Sequence, residues 1–183
     1  MKNLRFESLE LLSRRERKGL MVRFHPRLTV IRGENDVGKS SVIKSLYWAF
    51  GGSSPKIHSS WASANIKALV TFTIDEERYR IFRDHDTYGV FNVNGELLLS
   101  TNLVKELAPF IGGLLDFKLV LTNRAGEPET PPPAYAFLPF YVDQDAGWVK
   151  PLDSFANLTQ FIDFRKDLLE FHTGILPNEF YEC

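Results

Sequence analysis

The sequence predicts a mixed α/β fold with α+β character, because two kinds of hydrophobic pattern occupy different parts of the chain. Near the N-terminus, the apolar run Leu28–Ile31 leads through a glycine-containing loop into residues 42–50, whose apolar side chains recur at helical spacing. The run is nearly continuous, which is typical of a buried central strand. From residue 67 to 99, apolar side chains recur at every second position instead, so an antiparallel β-meander is expected beside the strand–loop–helix unit.

The first part of the chain is expected to begin with a β-hairpin. Residues 3–12 and 20–24 are strand-like runs on either side of a polar connection that ends in glycine. The helix should begin after Lys39. It should stop at Gly51 and Gly52, since glycine is common just past a helix end.

The middle of the chain carries the meander. Asn94-Gly95 is a strong hairpin signal because both residue types tolerate positive φ, and three or four antiparallel strands are expected. A helix at 102–110 and a strand at 117–121 should follow. The segment 126–133 (GEPETPPP) is expected to be an exposed loop, since its prolines lack the N–H that regular structure needs.

The last part is expected to form a strand at Ala136–Val142 and then a long helix. Ser154 is a candidate N-cap for this helix, which should end near Phe171, before Gly174. Pro177 stands where another helix would begin. The expected buried positions of the long helix are Phe155, Leu158, Phe161, Ile162, Leu168 and Leu169.

Composition bounds the class of protein. At 183 residues, 44% of them hydrophobic, the chain is long enough for one packed domain but short for two. The 22 basic and 23 acidic residues give a formal charge of −1, which excludes a broadly polycationic protein but permits a local basic patch. The single cysteine, Cys183, excludes an internal disulfide, and no apolar run approaches the ~20 residues of a membrane span. A soluble, cytoplasmic protein without membrane contact is expected.

The loop before the first helix has the composition of a phosphate-binding loop (P-loop). It reads Gly33, four residues, then Gly38, Lys39 and Ser40. Glycines let backbone N–H groups approach a polyphosphate, the lysine reaches the terminal phosphates, and the serine hydroxyl binds Mg²⁺. ATP and Mg²⁺ are therefore the expected ligands. The residues expected to contact them are Gly33, Glu34, Asn35, Asp36, Val37, Gly38, Lys39, Ser40 and Ser41.

Hydrolysis of a triphosphate also needs an acidic residue at the end of a neighbouring strand to hold Mg²⁺. Two segments end in acidic residues, but neither has the pattern of such a strand. Residues 69–74, before Asp75, alternate as a half-exposed antiparallel strand does. Residues 137–142, before Asp143, contain Pro139, which cannot donate to a central ladder. The magnesium strand is therefore expected to be absent from this chain.

Two motifs together resemble one ATPase family. GENDVGKSS (residues 33–41) has asparagine at its third position, and FYVDQDAGW (residues 140–148) carries Gln144. They are similar to the ABC-type ATPase heads of the SMC (structural maintenance of chromosomes) superfamily, where a Q-loop glutamine follows an antiparallel β layer. The resemblance covers nearly the whole chain. It implies a P-loop NTPase half-domain, the N-terminal lobe of an ABC/SMC head, over residues 1–175, with the meander at 67–99 as its β layer.

The resemblance also implies roles and partners. Gln144 would ligate Mg²⁺ together with Ser40, or hold the attacking water, and Lys39 and Gln144 would act in catalysis. The magnesium strand and signature motif would lie in a C-terminal lobe, reached through a coiled coil that residues 176–183 begin. A second head would close over ATP, and head engagement would drive DNA binding or processing in DNA repair, chromosome maintenance or anti-phage defence. The expected partners are thus that C-terminal lobe, a second head and DNA. This chain alone should be nearly inactive as an ATPase.

Several polar and aromatic residues allow two interpretations each. The only basic cluster lies in the first hairpin and consists of Arg14, Arg15, Arg17 and Lys18. It is either a solvated hairpin tip or a contact with DNA or nucleotide phosphates. Arg83 is either structural or DNA-facing, and Trp61, flanked by small residues, is a packing residue more readily than a base-stacking one. Asp143 and Asp145 flank Gln144 and are either solvated or assist Mg²⁺ indirectly.

Two other functions remain open. A self-contained P-loop kinase for a small metabolite or nucleoside would have a suitable size, but it needs a parallel sheet with an early acidic strand, against which the long meander argues. A non-catalytic interaction module that keeps a nucleotide loop is the third hypothesis. The intact Lys39 and Ser40 argue against such decay of the site.

Overall fold

A computed structural model describes residues 2–35, 37–145 and 147–181. Cys183 and the end of the segment 176–183 lie outside the described residues. None of the described helices is long and apolar enough to cross a membrane.

The chain divides into two compact units. One comprises Lys2–Phe50 and Lys56–Leu103 and is called the sheet unit below. The other comprises chiefly Gly51–Pro55 and Val104–Cys183 and is called the helical unit. The phosphate-binding loop belongs to the sheet unit, and Gln144 belongs to the helical unit.

The sheet unit is built on a six-stranded antiparallel sheet in the order β2-β1-β3-β4-β5-β6. Its strands are β1 (Leu4–Ser13), β2 (Lys18–Arg23), β3 (Ile66–Ile74), β4 (Glu77–Asp84), β5 (Thr87–Asn92) and β6 (Leu97–Thr101). The predicted hairpin and the four-stranded meander are confirmed, and β1 pairs with β3 to join them into one sheet. Gly95 takes a φ of +82° in the turn between β5 and β6, which is the conformation that makes glycine useful there.

The predicted helix after Lys39 is confirmed as α1 (Lys39–Ala49), which packs on β3 and β4. Phe50, just past its end, lies between Phe6 and Phe72, with ring centroids 5.8 and 5.1 Å away. Edge-on aromatic packing of this kind stabilises a core beyond the apolar area that it buries. A short helix, α2 (Ser59–Ser63), precedes β3.

The expected central strand at Leu28–Ile31 does not form. Between β2 and α1 the described residues contain no strand, and Leu28 and Val30 are 72% and 75% exposed. Every strand pairing among the described residues is antiparallel, so no parallel strand covers this run. An apolar run predicts that burial is needed, but it does not identify the partner that provides it.

Among its described residues, the helical unit contains three α-helices and two short strands. These are α3 (Val104–Leu115), β7 (Leu121–Thr122), β8 (Pro128–Glu129), α4 (Ala134–Phe137) and α5 (Phe164–His172), with 3₁₀ turns at Leu158–Gln160 and Asn178–Tyr181. Its core is aromatic: the Phe117 and Phe171 ring centroids lie 5.0 Å apart. Tyr135 packs edge-on against Phe161 and Phe164 at 5.3 and 5.2 Å.

Segments with weak patterns differ most from the predictions. The helix predicted at 102–110 is present as α3, but the strand predicted at 117–121 is reduced to β7. Its alternate residues are nevertheless buried, because an extended chain can bury one face without a ladder. The segment 126–133 is only partly exposed, since Pro131 and Pro133 are buried.

The predicted strand at Ala136–Val142 is wrong. Residues 134–138 are all buried and begin a helical turn, α4, behind Pro133. A short, continuous apolar run cannot distinguish a buried strand from a buried helix, and proline readily starts a helix.

The long helix predicted from Ser154 is also wrong. Asn157 and Asp163 adopt left-handed conformations, and α5 begins only at Phe164. Of the expected buried positions, Ile162 and Leu169 are exposed. The others are buried: Phe155, Leu158, Phe161 and Leu168.

Candidate functional site

The phosphate-binding loop ends where α1 begins. Gly38 is the N-cap of α1 with a φ of +89°, a left-handed conformation that favours glycine. Its carbonyl oxygen accepts the first helical hydrogen bond, from the Val42 amide, at 3.0 Å. Among the described residues, no side chain caps this helix. A helix start that is formed by backbone alone, behind a glycine-containing loop, is suited to an anion.

Lys39 lies across the loop that precedes it. Its Nζ donates to the carbonyl oxygen of Gly33 at 2.9 Å and also to the carbonyl oxygen of Glu34. A Cβ atom on Gly33 would stand 3.0 Å from Val37 Cγ2, so a larger residue there would require the Val37 side chain to shift. The loop therefore curls around the ammonium group. Because an ammonium has three donors, it can keep a loop carbonyl and also contact a phosphate oxygen.

The remaining loop residues lie at the surface. Asn35, Val37 and Ser40 are exposed, and Ser41 is half-buried in the first turn of α1. Asp36 lies outside the described residues. The structure thus brings Gly33, Glu34, Gly38 and Lys39 together, whereas contact of any of these residues with ATP stays a prediction. The exposed hydroxyl of Ser40 has the oxygen chemistry that Mg²⁺ prefers.

Trp61 of α2 packs next to the phosphate-binding loop and the first turns of α1. Its indole Nε1 donates to Ser45 Oγ at 3.0 Å, and Ser45 Oγ donates to the Ser41 carbonyl at 2.8 Å. The indole Cζ3 would lie 3.8 Å from a Cβ on Gly38. These contacts support the interpretation of Trp61 as a packing residue. Sequence reasoning missed its position beside the loop, because no local pattern connects α2 with α1.

The basic cluster occupies the tip of the first hairpin, as predicted. Arg14, Arg15, Arg17 and Lys18 are all exposed. Arg15 Nη1 donates to the Ser63 carbonyl of α2 at 2.9 Å, which anchors one side of the tip. Contact of the cluster with nucleic-acid or nucleotide phosphates stays a prediction.

Arg83 is a structural residue, which decides between its two interpretations. It is only 8% exposed, and its guanidinium lies 4.2 and 4.7 Å from the Trp48 and Tyr88 ring centroids. Nη1 donates to the Trp48 carbonyl in the last turn of α1, and Nε donates to the His85 carbonyl at 2.8 Å. Burial lowers the pKa of Arg83 from its usual value. The cation holds the end of α1 opposite to the phosphate-binding loop.

Gln144 lies exposed in a turn of the helical unit. Its neighbour Asp143 is buried and accepts hydrogen bonds from the Tyr141 hydroxyl at 3.0 Å and the Asp145 amide at 3.1 Å. A solvated Asp143 is therefore excluded.

Neither acidic segment considered for the magnesium strand forms a parallel strand. Residues 69–74 belong to β3, which pairs antiparallel on both sides, and Asp75 follows in a turn. Asp143 follows a turn instead of a strand. In the part of the chain that the structure describes, no group of three or more His, Cys, Asp or Glu residues could hold a metal ion.

Comparison with known proteins identifies the family. A family model described as an AAA domain matches residues 7–115, more than half of the chain. This chain belongs to the AAA domain family. The match makes it a domain of the ATPase class, whose members generally use ATP and Mg²⁺.

Two relatives of this AAA domain carry the same name. The chain is 27% identical over 167 residues to the Lamassu protein LmuB of Bacillus cereus (strain VD014), which covers 90% of this chain and 29% of that protein. It is 31% identical over 122 residues to the Lamassu protein LmuB of Bacillus sp. (strain NCIM 5461 / CCTCC AB 2011126 / NIO-1130), over 66% of this chain and 21% of that protein. The chain thus spans less than a third of the length of these relatives. Together with the family match, they confirm an SMC-like ATPase N-terminal lobe.

Proposed function

We propose that this AAA domain binds ATP on the loop Gly33–Ser41 as one lobe of an SMC-like ATPase head. The observation that supports this proposal most is the position of Lys39 at the start of α1. Its ammonium group donates hydrogen bonds to the Gly33 and Glu34 carbonyl oxygens. A cation, glycine backbone and a helix N-terminus at one place favour a polyphosphate over other anions.

We assign Mg²⁺ to Ser40 on the phosphate-binding motif and to Gln144 on the resemblance to SMC-type ATPase heads. When bound, the ion would neutralise charge on the phosphates. Ser40 would contribute its hydroxyl, and Gln144 would contribute its amide oxygen or hold water. Lys39 would bind the terminal phosphates.

The lobe is proposed to depend on the C-terminal lobe of the same ATPase for hydrolysis. Leu28 and Val30, shortly before the phosphate-binding loop, are exposed and support this dependence, because an apolar run of this kind is stable when a neighbouring strand covers it. The C-terminal lobe would supply that strand and the missing carboxylate, and its coiled-coil connection would begin near residue 176. A second head would then close over ATP.

Among the three proposed settings, we favour anti-phage defence over DNA repair and chromosome maintenance. The similarity to two proteins named Lamassu protein LmuB supports this choice. The exposed basic tip around Arg14, Arg15, Arg17 and Lys18 supports DNA as the partner that head engagement would bind or process.

Substitution of Lys39 tests ATP binding directly. Lys39→Ala should weaken binding of Mg-ATP by roughly tenfold to a hundredfold, because a charged hydrogen-bond donor contributes about 1.5–3 kcal/mol. Isothermal titration calorimetry measures the change. Lys44→Ala is the matched control, since Lys44 stands on the same helix and donates to the Lys56 carbonyl at 2.8 Å.

The same samples separate the alternatives. If neither wild type nor Lys39→Ala binds Mg-ATP, the result would support the non-catalytic interaction module. Transfer of labelled phosphate from ATP to a small acceptor would favour the kinase. Brisk ATP hydrolysis by the 183 residues alone would contradict the half-head proposal.

A further inference from the structure

The turn that carries Gln144 is held by a buried carboxylate next to it. Asp143 is only 1% exposed, whereas the next two residues, Gln144 and Asp145, are exposed. Removing a carboxylate from water is unfavourable unless hydrogen bonds replace the lost hydration. A buried aspartate directly before an exposed functional candidate therefore needs an explanation.

Both carboxylate oxygens of Asp143 have donors. The Tyr141 hydroxyl donates to Oδ1 at 3.0 Å, and the Asp145 backbone amide donates to Oδ2 at 3.1 Å. The second bond joins the residues on either side of Gln144. Such a turn, closed by an aspartate side chain on the amide two residues later, restricts the backbone of the residue between them.

Two more residues close the same turn from within the helical unit. Ser154 Oγ donates to the Tyr141 carbonyl at 2.7 Å and accepts from the Asp143 amide at 3.0 Å. The Gly147 amide donates to the Asp143 carbonyl at 3.0 Å. A Cβ on Gly147 would stand 2.7 Å from the Asp143 nitrogen, so only glycine fits. Tyr141, Asp143, Gly147 and Ser154 are called the Asp143 clamp below.

We propose that Asp143 is a positioning residue that holds Gln144 through the Asp143 clamp, and that it does not act on Mg²⁺ through its charge. The proposal rests on the proposed role of Gln144. Both carboxylate oxygens of Asp143 accept hydrogen bonds inside the unit, whereas Gln144 lies at the surface. A residue whose backbone is fixed in advance loses less conformational entropy on binding.

Asparagine is the informative replacement at position 143. Its carbonyl oxygen can accept from the Asp145 amide, and its NH₂ group can donate to the Tyr141 oxygen, so Asp143→Asn keeps the turn and removes only the charge. Asp143→Ala removes both. If Asp143 acts through position, asparagine should restore the wild-type behaviour. If it acts through charge, asparagine should fail as alanine does.

Hydrogen exchange tests the clamp without any ligand. In the full chain, Asp143→Ala should increase amide exchange at Asp145 by about tenfold or more, the scale of losing one hydrogen bond to a charged group. Asp143→Asn should keep it near wild type. Unchanged exchange in Asp143→Ala would overturn the proposal, and α3 amides provide the internal control for global unfolding.

A double-mutant cycle tests whether the clamp acts through Gln144. The measured quantity is the gain in ATP affinity on adding Mg²⁺, by calorimetry. Asp143→Ala should reduce this gain by about tenfold, the scale typical of residues that orient a metal ligand. When Gln144 is already replaced by alanine, Asp143→Ala should cause no further reduction in this gain. An equal effect in both backgrounds, or a loss in Asp143→Asn as large as in Asp143→Ala, would overturn the proposal.

Failure of the proposed function has a different signature. If Gln144→Ala keeps the whole gain in ATP affinity from Mg²⁺, the assignment of Gln144 to Mg²⁺ is wrong. Hydrogen exchange then still decides whether Asp143 holds the turn. If Asp143→Ala reduces the gain while Gln144→Ala does not, Asp143 acts by another route and the positioning proposal is wrong.

Discussion

The phosphate-binding loop and the Gln144 turn both carry polar groups at the surface, but different interactions shape them. Around Lys39 the direct contacts are local, since two glycines, two loop carbonyls and the first turn of α1 all lie within the motif, and Trp61 of α2 adds a contact beside it. Around Gln144 the support comes from side-chain hydrogen bonds, and Ser154 enters from a separate part of the chain. Local support can be recognised as a sequence motif, whereas support from a distant side chain cannot.

The largest effect is expected at the far end of the helix that carries the phosphate-binding loop. Arg83→Lys should destabilise the sheet unit by about 2–3 kcal/mol, because lysine lacks the planar guanidinium that stacks between Trp48 and Tyr88 and binds two carbonyls. Urea unfolding measures the change in the free energy of unfolding.

Arg78→Lys is the matched control for this change. Arg78 lies on the same strand, β4, with an exposed side chain that forms an ion pair with Glu7. Exposed pairs contribute about 0–1 kcal/mol, so this variant should stay near wild type. If both substitutions lower the free energy of unfolding equally, the buried contacts of Arg83 do not contribute to stability.

A pair of glycines tests the turn at Gln144. Gly147→Ala should destabilise the helical unit by about 1–3 kcal/mol, because the new methyl group would overlap Asp143 backbone atoms. Gly113→Ala, in α3 with no atom within 4 Å of its Cβ position, should be neutral or stabilise by up to about 1 kcal/mol. Thermal unfolding compares the two variants, and a tolerated Gly147→Ala would contradict the tight turn.

The smallest expected effect is a difference between the two units in how their stability depends on pH. His172 of the helical unit packs among Phe117, Phe140 and Phe171, and burial lowers its pKa below the ordinary 6.5. Within the described residues its Nε2 is buried without a hydrogen-bond partner. The histidines of the sheet unit are exposed: His25, His58 and His85.

The sign of this pH response follows from the lowered pKa. The unfolded state binds the proton more readily, so the stabilisation is complete above pH 6.5 and is lost as the pH falls below it. As the pH is lowered from 7.5 to 5.5, the helical unit should therefore lose stability. His172→Phe should remove this loss, measured as the urea midpoint at each pH. The same loss in wild type and His172→Phe would assign it to other groups.

Sequence patterns predicted the sheet unit better than the helical unit. The hairpin, the meander and α1 each carry a strong period, with turn residues between them, and all three form. The strand at 136–142 and the helix from Ser154 were predicted from short apolar runs and a single capping residue, and neither forms. Those signals are weak because a buried helix and a buried strand have the same local composition.

The candidate site shows the same division. The motif around Lys39 identified the loop whose carbonyls hold the ammonium, and Gln144 was singled out from FYVDQDAGW. Trp61 and Asp143 received two interpretations each, because only burial and hydrogen-bond partners distinguish packing from exposure. The roles of Lys39, Ser40 and Gln144 towards ATP and Mg²⁺ stay predictions, with Lys39→Ala and the Asp143 cycle as their tests.

By itself the sequence determined the phosphate-binding loop, the helix behind it, the antiparallel sheet and membership in an SMC-like ATPase family. The loop, the helix and the sheet follow from periodicity and from residues that act on their immediate neighbours, whereas the family follows from the resemblance of two motifs. The tertiary structure alone decided that Leu28 and Val30 are exposed, that Arg83 is buried and that Asp143 is buried. Each of these depends on which distant groups meet a side chain, and the free energy of burial is set by those partners.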